Sequence, residues 1–188
     1  MRPHGEDVIS VLTQDHRELQ DMFDDLQLAA TAGEKRRRAD AVTVALVRHS
    51  VAEERYLYPA ARRLVPDGES LADREIGDHA EVEKLLGRIG RTDARDPDFD
   101  RLVTALVRDV LEHVQDEESS LLPRLARHAG PGELAELGRL VRSVGTGMPA
   151  GPRPSPSARP SRRPAADGRP DSGSGLVDRV RDHLSGRP

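Results

Sequence analysis

The sequence predicts an all-α protein: an antiparallel up-down-up-down four-helix bundle with an internal two-hairpin repeat and a disordered C-terminal tail. Three observations lead to this prediction. First, the 188 residues include no Cys, no Trp, two Tyr and two Phe, so the core is built from aliphatic residues, a composition that suits helices. Second, apolar residues recur at helical spacing over four long segments. Third, the first two of these segments resemble the second two.

Turn signals separate the four predicted helices. Their expected ranges are 6–30, 34–64, 69–91 and 97–127. We expect Gly33 to break the first helix, and Asp96 to cap the fourth, with Pro97 at its first position. Pro59 and Pro123 lie inside the second and fourth helices, where proline kinks or shortens a helix.

The composition changes near residue 145. We assign residues 1–144 to the bundle, including a short fifth helix over 133–144. Residues 145–175 are rich in Pro, Gly, Ser and Arg and cannot bury a core, which predicts a disordered linker. Residues 176–188 carry apolar side chains on one helical face, which predicts a short amphipathic terminal segment.

The charge is distributed unevenly along the chain. The total is −4, but residues 145–188 contain eight Arg and four Asp, so residues 1–144 carry −8. An acidic folded region argues against nucleic-acid binding, while the basic tail is a candidate contact for a protein partner. No signal pattern and no apolar run of about 20 residues occur, so we expect a soluble cytoplasmic protein without membrane association.

A histidine-and-glutamate motif occurs twice. HSVAEERYLYP begins at His49 and HVQDEESSLLP begins at His113; they share the His, two Glu, a Leu and a Pro at matching places. The repeat extends to the other two helices, where the segment around His16 resembles the segment around His79. Each of the four helices therefore carries a matched histidine.

The spacing of the motif predicts a metal site inside the bundle. Residues four apart share a helix face, so His49 with Glu53, and His113 with Glu117, project into a common interior. Buried carboxylates that face each other are costly, and one of them is driven neutral unless cations bind. Two glutamates that each bridge two metals, with two histidines per metal, make a dinuclear site. Its nitrogen and oxygen ligands suit iron well, and manganese or zinc less decidedly.

The pattern H…HxxxE…H…HxxxE resembles the hemerythrin-like (HHE cation-binding) family over roughly residues 5–143. The resemblance implies a four-helix bundle with a non-haem di-iron centre, here two oxo- or hydroxo-bridged iron ions. It also implies the ligands, with the two glutamates bridging. These are His16, His49, Glu53, His79, His113 and Glu117.

The chain departs from the oxygen-carrying hemerythrins at two places. Those proteins have a second histidine one turn along the third helix, where this chain has Glu83, a further candidate metal ligand. They also use HxxxxD on the fourth helix, where this chain has HxxxE. Because extra anionic ligands favour ferric iron, the pattern favours peroxide or nitric oxide chemistry, or sensing, over reversible oxygen carriage. The ferritin-like Glu-x-x-His signature is absent.

Four further residues lie next to the motif. Glu54 and Glu118 point away from the histidine face of an α-helix, so we expect them to be solvated or to support ligands rather than bind metal. For Tyr56 and Tyr58 the sequence favours packing at the bundle edge with solvated hydroxyls. The alternative is a hydrogen bond or a radical relay beside the metals.

Three functional hypotheses follow. The first is a redox-active di-iron protein that binds or turns over O2, H2O2 or NO in oxidative or nitrosative stress; whether it is an enzyme, for example catalase-like, stays open. The second is an iron- or redox-sensing module that signals through the C-terminal tail. The third is a zinc or mixed-metal structural bundle, which is disfavoured because structural zinc prefers closed tetrahedral sites that often use thiolates.

Overall fold

The computed structural model describes residues 7–147, with side chains through residue 144, and this part of the chain is helical without strands. The α-helices are Val8–Gln27 (α1), Ala32–Ala52 (α2), Tyr58–Leu64 (α3), Gly68–Arg91 (α4), Pro97–Asp116 (α5), Leu122–His128 (α6) and Pro131–Gly147 (α7). A first π-helical turn, Glu53–Leu57, joins α2 to α3, and a second, Glu117–Leu121, joins α5 to α6. The four rods are therefore α1, α2–α3, α4 and α5–α6, which confirms the predicted all-α bundle.

The fifth helix, α7, packs against α1, α2 and the first π-helical turn. It is longer than the predicted segment 133–144, since it runs from Pro131 to Gly147. Residues 145–147, which the sequence assigned to the linker, thus belong to a helix. The rest of the predicted linker and the terminal segment 176–188 lie outside the described residues.

The helix starts follow local capping chemistry. The Asp96 side chain accepts a hydrogen bond from the backbone N–H of Asp98 at 2.9 Å, as its predicted capping role requires. The prediction for Gly33 was wrong, because this residue lies in the first turn of α2 rather than in the break before it. Thr31 and Glu34 form a capping box, in which each side chain accepts from the backbone N–H of the other, and this pair starts α2.

The two internal prolines neither end nor break their rods, because a π-helical turn precedes each of them. Proline has no N–H to donate, and its ring clashes with the carbonyl four residues earlier in an α-helix. In the first turn the N–H of Tyr58 instead bonds the carbonyl of Glu53, five residues back, so the wider turn leaves room for Pro59. Leu122 bonds Glu117 in the same way before Pro123.

Two apolar clusters fill the bundle, one towards each end. One includes Val8, Leu12, Leu57, Leu71 and Leu121, and the other includes Phe23, Leu46, Leu86, Phe99 and Leu106. On each of the four rods, the matched histidine lies along the chain between residues of one cluster and residues of the other. A buried polar layer is therefore enclosed by apolar packing on both sides. Among the described helices, none is both long and apolar enough to cross a membrane.

Candidate metal centre

The polar layer contains the four matched histidines and the glutamates that begin the π-helical turns. His16 comes from α1, His49 from α2, His79 from α4 and His113 from α5. Each histidine is at most 5% exposed, and Glu53 and Glu117 are fully buried. Six of the seven residues that the sequence and the family resemblance nominate as ligands therefore lie together.

The carboxylate of Glu53 lies between the two pairs of histidines. Its Oε1 is 3.0 Å from Nε2 of His49 and 3.8 Å from Nε2 of His16. Its Oε2 is 3.3 Å from Nε2 of His79 and 3.9 Å from Nε2 of His113. Each oxygen thus faces a different histidine pair, which is the arrangement that a bridging carboxylate needs.

The second buried glutamate approaches the same centre from the opposite rod. Oε2 of Glu117 is 3.5 Å from Nε2 of His16. Close groups of candidate ligand atoms, all within 4.8 Å of one another, place Glu117 with His16, His49 and Glu53, and also with His113 and Glu75. A further close group contains Glu53, His79 and His113.

The glutamates that follow Glu53 and Glu117 in the sequence contact the outer nitrogens of two histidines. Oε1 of Glu118 is 2.8 Å from Nδ1 of His16, and Oε1 of Glu54 is 2.9 Å from Nδ1 of His79. The two contacts are equivalent under the internal repeat. They leave Nε2 of each ring directed at the centre and orient the imidazoles, which is the supporting role allowed for by the sequence.

Glu75 is a site residue that the sequence analysis missed. It is fully buried on α4, with Oε2 3.0 Å from Nδ1 of His113 and Oε1 accepting a hydrogen bond from Arg74 at 3.0 Å. Glu75 precedes His79 by four residues, so the same spacing rule, applied backwards along the helix, would have placed it on the site face. The repeat concealed it, because the matching residue of α1 is Leu12.

The remaining nominated residues differ in their positions. Glu83 is half-buried and lies one helical turn after His79, whereas Glu75 lies one turn before it. Glu83 is outside the close groups of candidate ligands among the described residues. Its role as a ligand stays a prediction. Tyr56 is half-buried against an apolar cluster, and the Arg55 guanidinium lies 5.4 Å from its ring centroid.

Tyr58 does not lie at a solvated edge, as the sequence favoured. Only 1% of it is exposed, and its hydroxyl lies 3.1 Å from Nε2 of His79. The π-helical turn explains the difference, since i→i+5 bonding brings Tyr58 towards the face that Glu53 occupies. In a continuous α-helix, five residues would have rotated it about 140° away.

The buried charges shift the protonation of the layer strongly. Burial lowers the pKa of His16, but contacts with Glu117 and Glu53 outweigh it and raise that pKa to about 10. Burial also opposes protonation of His79, and contacts with carboxylates again dominate, raising its pKa to about 9. Without a metal, protons on the imidazoles therefore balance the carboxylates, and a metal has to displace them.

The two central glutamates shift in opposite directions. Burial raises the pKa of a carboxyl, yet the neighbouring histidines, His49 foremost, hold the pKa of Glu53 well below its usual range. For Glu117, burial and the negative charge of Glu53 together raise the pKa. This difference agrees with the expectation that one of two facing carboxylates is driven neutral when no cation binds.

The nitrogen and oxygen atoms that converge in the polar layer are arranged to bind a metal and are poorly placed to hydrogen-bond one another. Among the described residues, most buried side-chain atoms without a hydrogen-bond partner lie in this layer: Nε2 of His16, both nitrogens of His49, Nδ1 of His113, Oε2 of Glu75, and both oxygens of Glu53 and of Glu117. Nδ1 of His113 and Oε2 of Glu75 lie 3.0 Å apart, a close contact without hydrogen-bond geometry. Buried polar groups are normally paired, so each such atom is costly. Imidazole nitrogens and carboxylate oxygens that converge without hydrogen bonds match the ligand set of a first-row transition metal.

A solvent-open cavity of about 580 Å³ reaches one edge of the layer between α1 and α5. Its polar lining residues are His16, Arg17, Gln20, Gln115, Glu118 and Ser119. Water and small solutes can therefore approach the ring of His16 without unfolding of the bundle.

Comparison with known proteins gives a family match and two related sequences. The sequence model described as the hemerythrin HHE cation binding domain matches residues 7–125. An uncharacterized hemerythrin-like protein of Schizosaccharomyces pombe is 23% identical over 154 residues, which cover 81% of this chain and 76% of that protein. A DNA nickase of Nostoc sp. is 30% identical over 112 residues, but these cover 59% of this chain and only 31% of the nickase.

A solved structure shows the same fold. The crystal structure of a hemerythrin HHE cation binding domain-containing protein from Mycobacterium kansasii, described as an Rv2633c homolog, superposes with a TM-score of 0.66 at 20% sequence identity. The match covers 74% of this chain and 86% of that chain. With the family match over residues 7–125, these findings establish that the chain belongs to the hemerythrin HHE cation-binding family.

Proposed function

We propose that the protein binds two iron ions in an oxo- or hydroxo-bridged centre and uses them to bind or turn over a small oxidant such as O2, H2O2 or NO. One iron would be held by His16 and His49, the other by His79 and His113, with Glu53 bridging them. The observation that carries the proposal is the orientation of Glu53, whose two oxygens face different histidine pairs.

The ligand set supports iron over structural zinc. Two histidines and shared carboxylates leave an octahedral metal with open positions, whereas a structural zinc site is closed and tetrahedral. When bound, a pair of irons supplies two-electron redox chemistry. Glu117 lies in one close group with His16, His49 and Glu53 and would complete the bridge.

The protein surroundings support oxidant chemistry in particular. The apolar clusters on both sides exclude bulk water from the layer, and the cavity beside His16 admits solutes of the size of peroxide. The buried hydroxyl of Tyr58 is a hydrogen-bond donor within reach of a ligand at the His79 side. Such chemistry would serve a response to oxidative or nitrosative stress.

The test is iron content per chain, combined with the near-ultraviolet spectrum before and after peroxide is added. Protein produced with iron supplied is expected to contain two irons and to show oxo-bridge bands that shift or bleach. Evolution of gas would indicate catalase-like turnover. Zinc, or no metal, in a folded protein would overturn the proposal.

A second candidate function is iron or redox sensing. The observation that favours it is the packing of α7 against the first π-helical turn, which begins with Glu53. A change at the metals would thereby reach the helix that leads to the C-terminal tail. Two irons with a spectrum that is inert to peroxide, and a partner that is lost when residues 148–188 are deleted, would favour this function.

A further inference from the structure

The internal repeat allows the two halves of the metal centre to be compared residue by residue. An offset of 63 relates His16 to His79, and an offset of 64 relates His49 to His113. If the halves were equivalent, each contact in one would have a counterpart in the other. Nδ1 of His16 and Nδ1 of His79 satisfy this rule, because Glu118 and Glu54 hold them at 2.8 and 2.9 Å.

The other two histidines break the symmetry. Nδ1 of His113 lies 3.0 Å from the fully buried carboxylate of Glu75. Among the described residues, the carboxylate within 4 Å of His49 is that of Glu53, and it lies on the inner nitrogen Nε2, so the buried Nδ1 of His49 has no carboxylate against it. One half thus has a carboxylate on both imidazoles, and the other half has a carboxylate on one.

The difference at the two Nδ1 atoms arises at one position of the repeat. The residue that matches Glu75 is Leu12, which is fully buried in an apolar cluster. A more distant aspartate does not distinguish the halves, since half-buried Asp15 interacts electrostatically with His49 as Asp78 does with His113.

The contacts of Glu75 stabilise its ionised carboxylate form although the side chain is buried. Arg74 donates a hydrogen bond to Oε1 at 3.0 Å, which leaves Oε2 for His113. Arg74 is about half exposed, so its own charge stays partly hydrated. A carboxylate on the outer nitrogen fixes the ring and makes the inner nitrogen a stronger metal donor, and loss of such a partner typically costs 10–100-fold in metal affinity.

A cavity lies beside the half with fewer anchors. The cavity of about 580 Å³ is lined by His16 and by its partner Glu118. The Glu75 contact therefore distinguishes the two halves, and the cavity reaches the edge of the His16/His49 half.

We propose that the two metal positions are unequal: the His79/His113 position, anchored by Glu75, fills first and holds its metal more tightly, and the His16/His49 position exchanges through the cavity. This inference rests on the proposed function, since it requires two metals. Glu75 acts here as a positioning residue through His113.

The test is a titration of the metal-free full chain with Co²⁺ under anaerobic conditions, followed by visible absorbance and chelator competition. The natural chain is expected to bind two Co²⁺ per chain in steps that differ at least tenfold in affinity. Glu75→Leu, which installs the residue of the other half, should weaken the tighter step about 10–100-fold and leave the weaker step unchanged. Removal by a chelator should be biphasic, with only the slow phase accelerated in this variant.

Two further variants separate positioning from folding. Glu75→Gln keeps the side-chain volume and an oxygen that can accept from His113, so its effect should be smaller than that of Glu75→Leu. Glu81→Gln, an exposed change on the same helix, should match the natural chain. Two equal affinities in the natural chain, or equal weakening of both steps by Glu75→Leu, would overturn the inference alone. Fewer than two Co²⁺ per chain would overturn the proposed function with it.

Discussion

Replacing Glu53 by glutamine tests the centre of the polar layer. The change keeps the shape of the side chain but removes the charge that lies 3.0–3.9 Å from four imidazole nitrogens. Contacts with Glu117 and Glu53 raise the pKa of His16 from 6.5 to about 10. At pH 7 this rise corresponds to about 4 kcal/mol of folding free energy, which the two carboxylates supply together. Breaking a buried ion pair by removing one partner typically costs about 3–5 kcal/mol.

We therefore expect Glu53→Gln to destabilise the metal-free protein by about 3–5 kcal/mol, a large part of the 5–15 kcal/mol typical of a domain. With a urea dependence of about 2 kcal/mol/M, the unfolding midpoint should fall by roughly 1.5–2.5 M. The metal-loaded variant should contain fewer than two irons, because both positions share this bridge.

Urea unfolding at pH 7, followed by circular dichroism, measures the effect on stability. Glu81→Gln makes the same chemical change on a side chain that is 63% exposed, and it should alter stability by no more than about 0.5 kcal/mol. A midpoint for Glu53→Gln within 0.5 M of that control, or two irons retained per chain, would refute the reasoning about the bridge.

Three further predictions concern pH, the buried hydroxyl and a tight helix junction. Because folding raises the pKa values of His16 and His79 from 6.5 to about 10 and about 9, their stabilisation of the metal-free protein is complete below pH 6.5 and is lost as pH rises through 9–10. Urea denaturation of the metal-free protein at a series of pH values should show this loss. Metal affinity should rise over the same pH range, because fewer protons compete for the imidazole nitrogens. A free energy of unfolding of the metal-free protein that is constant from pH 6.5 to 10 would contradict the assignment of charge to these histidines. Tyr58→Phe should leave two irons bound but change the spectral response to peroxide or azide, and an unchanged response would remove the hydroxyl from the ligand-binding role. Gly68→Ala should destabilise the protein by about 1–3 kcal/mol, since a Cβ there would clash with the backbone carbonyl oxygen of Ala61 in α3. Gly77→Ala, whose added Cβ meets nothing within 4 Å, should be neutral or stabilising. Equal unfolding midpoints for the two variants would contradict the packing at this junction.

The bundle and most of the site could be predicted because the repeat appears in the sequence itself. Matched histidines on four amphipathic helices, with Glu four residues after two of them, require little beyond α-helical periodicity to converge. The four donors His16, His49, Glu53 and Glu117 form one close group in the structure. Stability of the bundle and convergence of the site depend on the same periodicity.

The errors arose where the backbone or the repeat departs from its regular form. The α-helical rotation of about 100° per residue about the helix axis does not hold through a π-helical turn. The burial of Tyr58 could therefore not be predicted from the α-helical pattern of the sequence. Glu75 was missed because comparison of repeats reveals what the halves share, and this residue is where they differ. Gly33 was assigned to a break on its general propensity, while the Thr31 capping box decided the start of α2.

The most direct test of the central claim is a crystal structure of the iron-loaded protein with an anomalous difference map collected at the iron edge. Two peaks about 3.5–4 Å apart are expected in the polar layer, one beside His16 and His49 and one beside His79 and His113, with Glu53 between them. A single peak, peaks elsewhere on the molecule, or two irons joined without Glu53 would contradict the account.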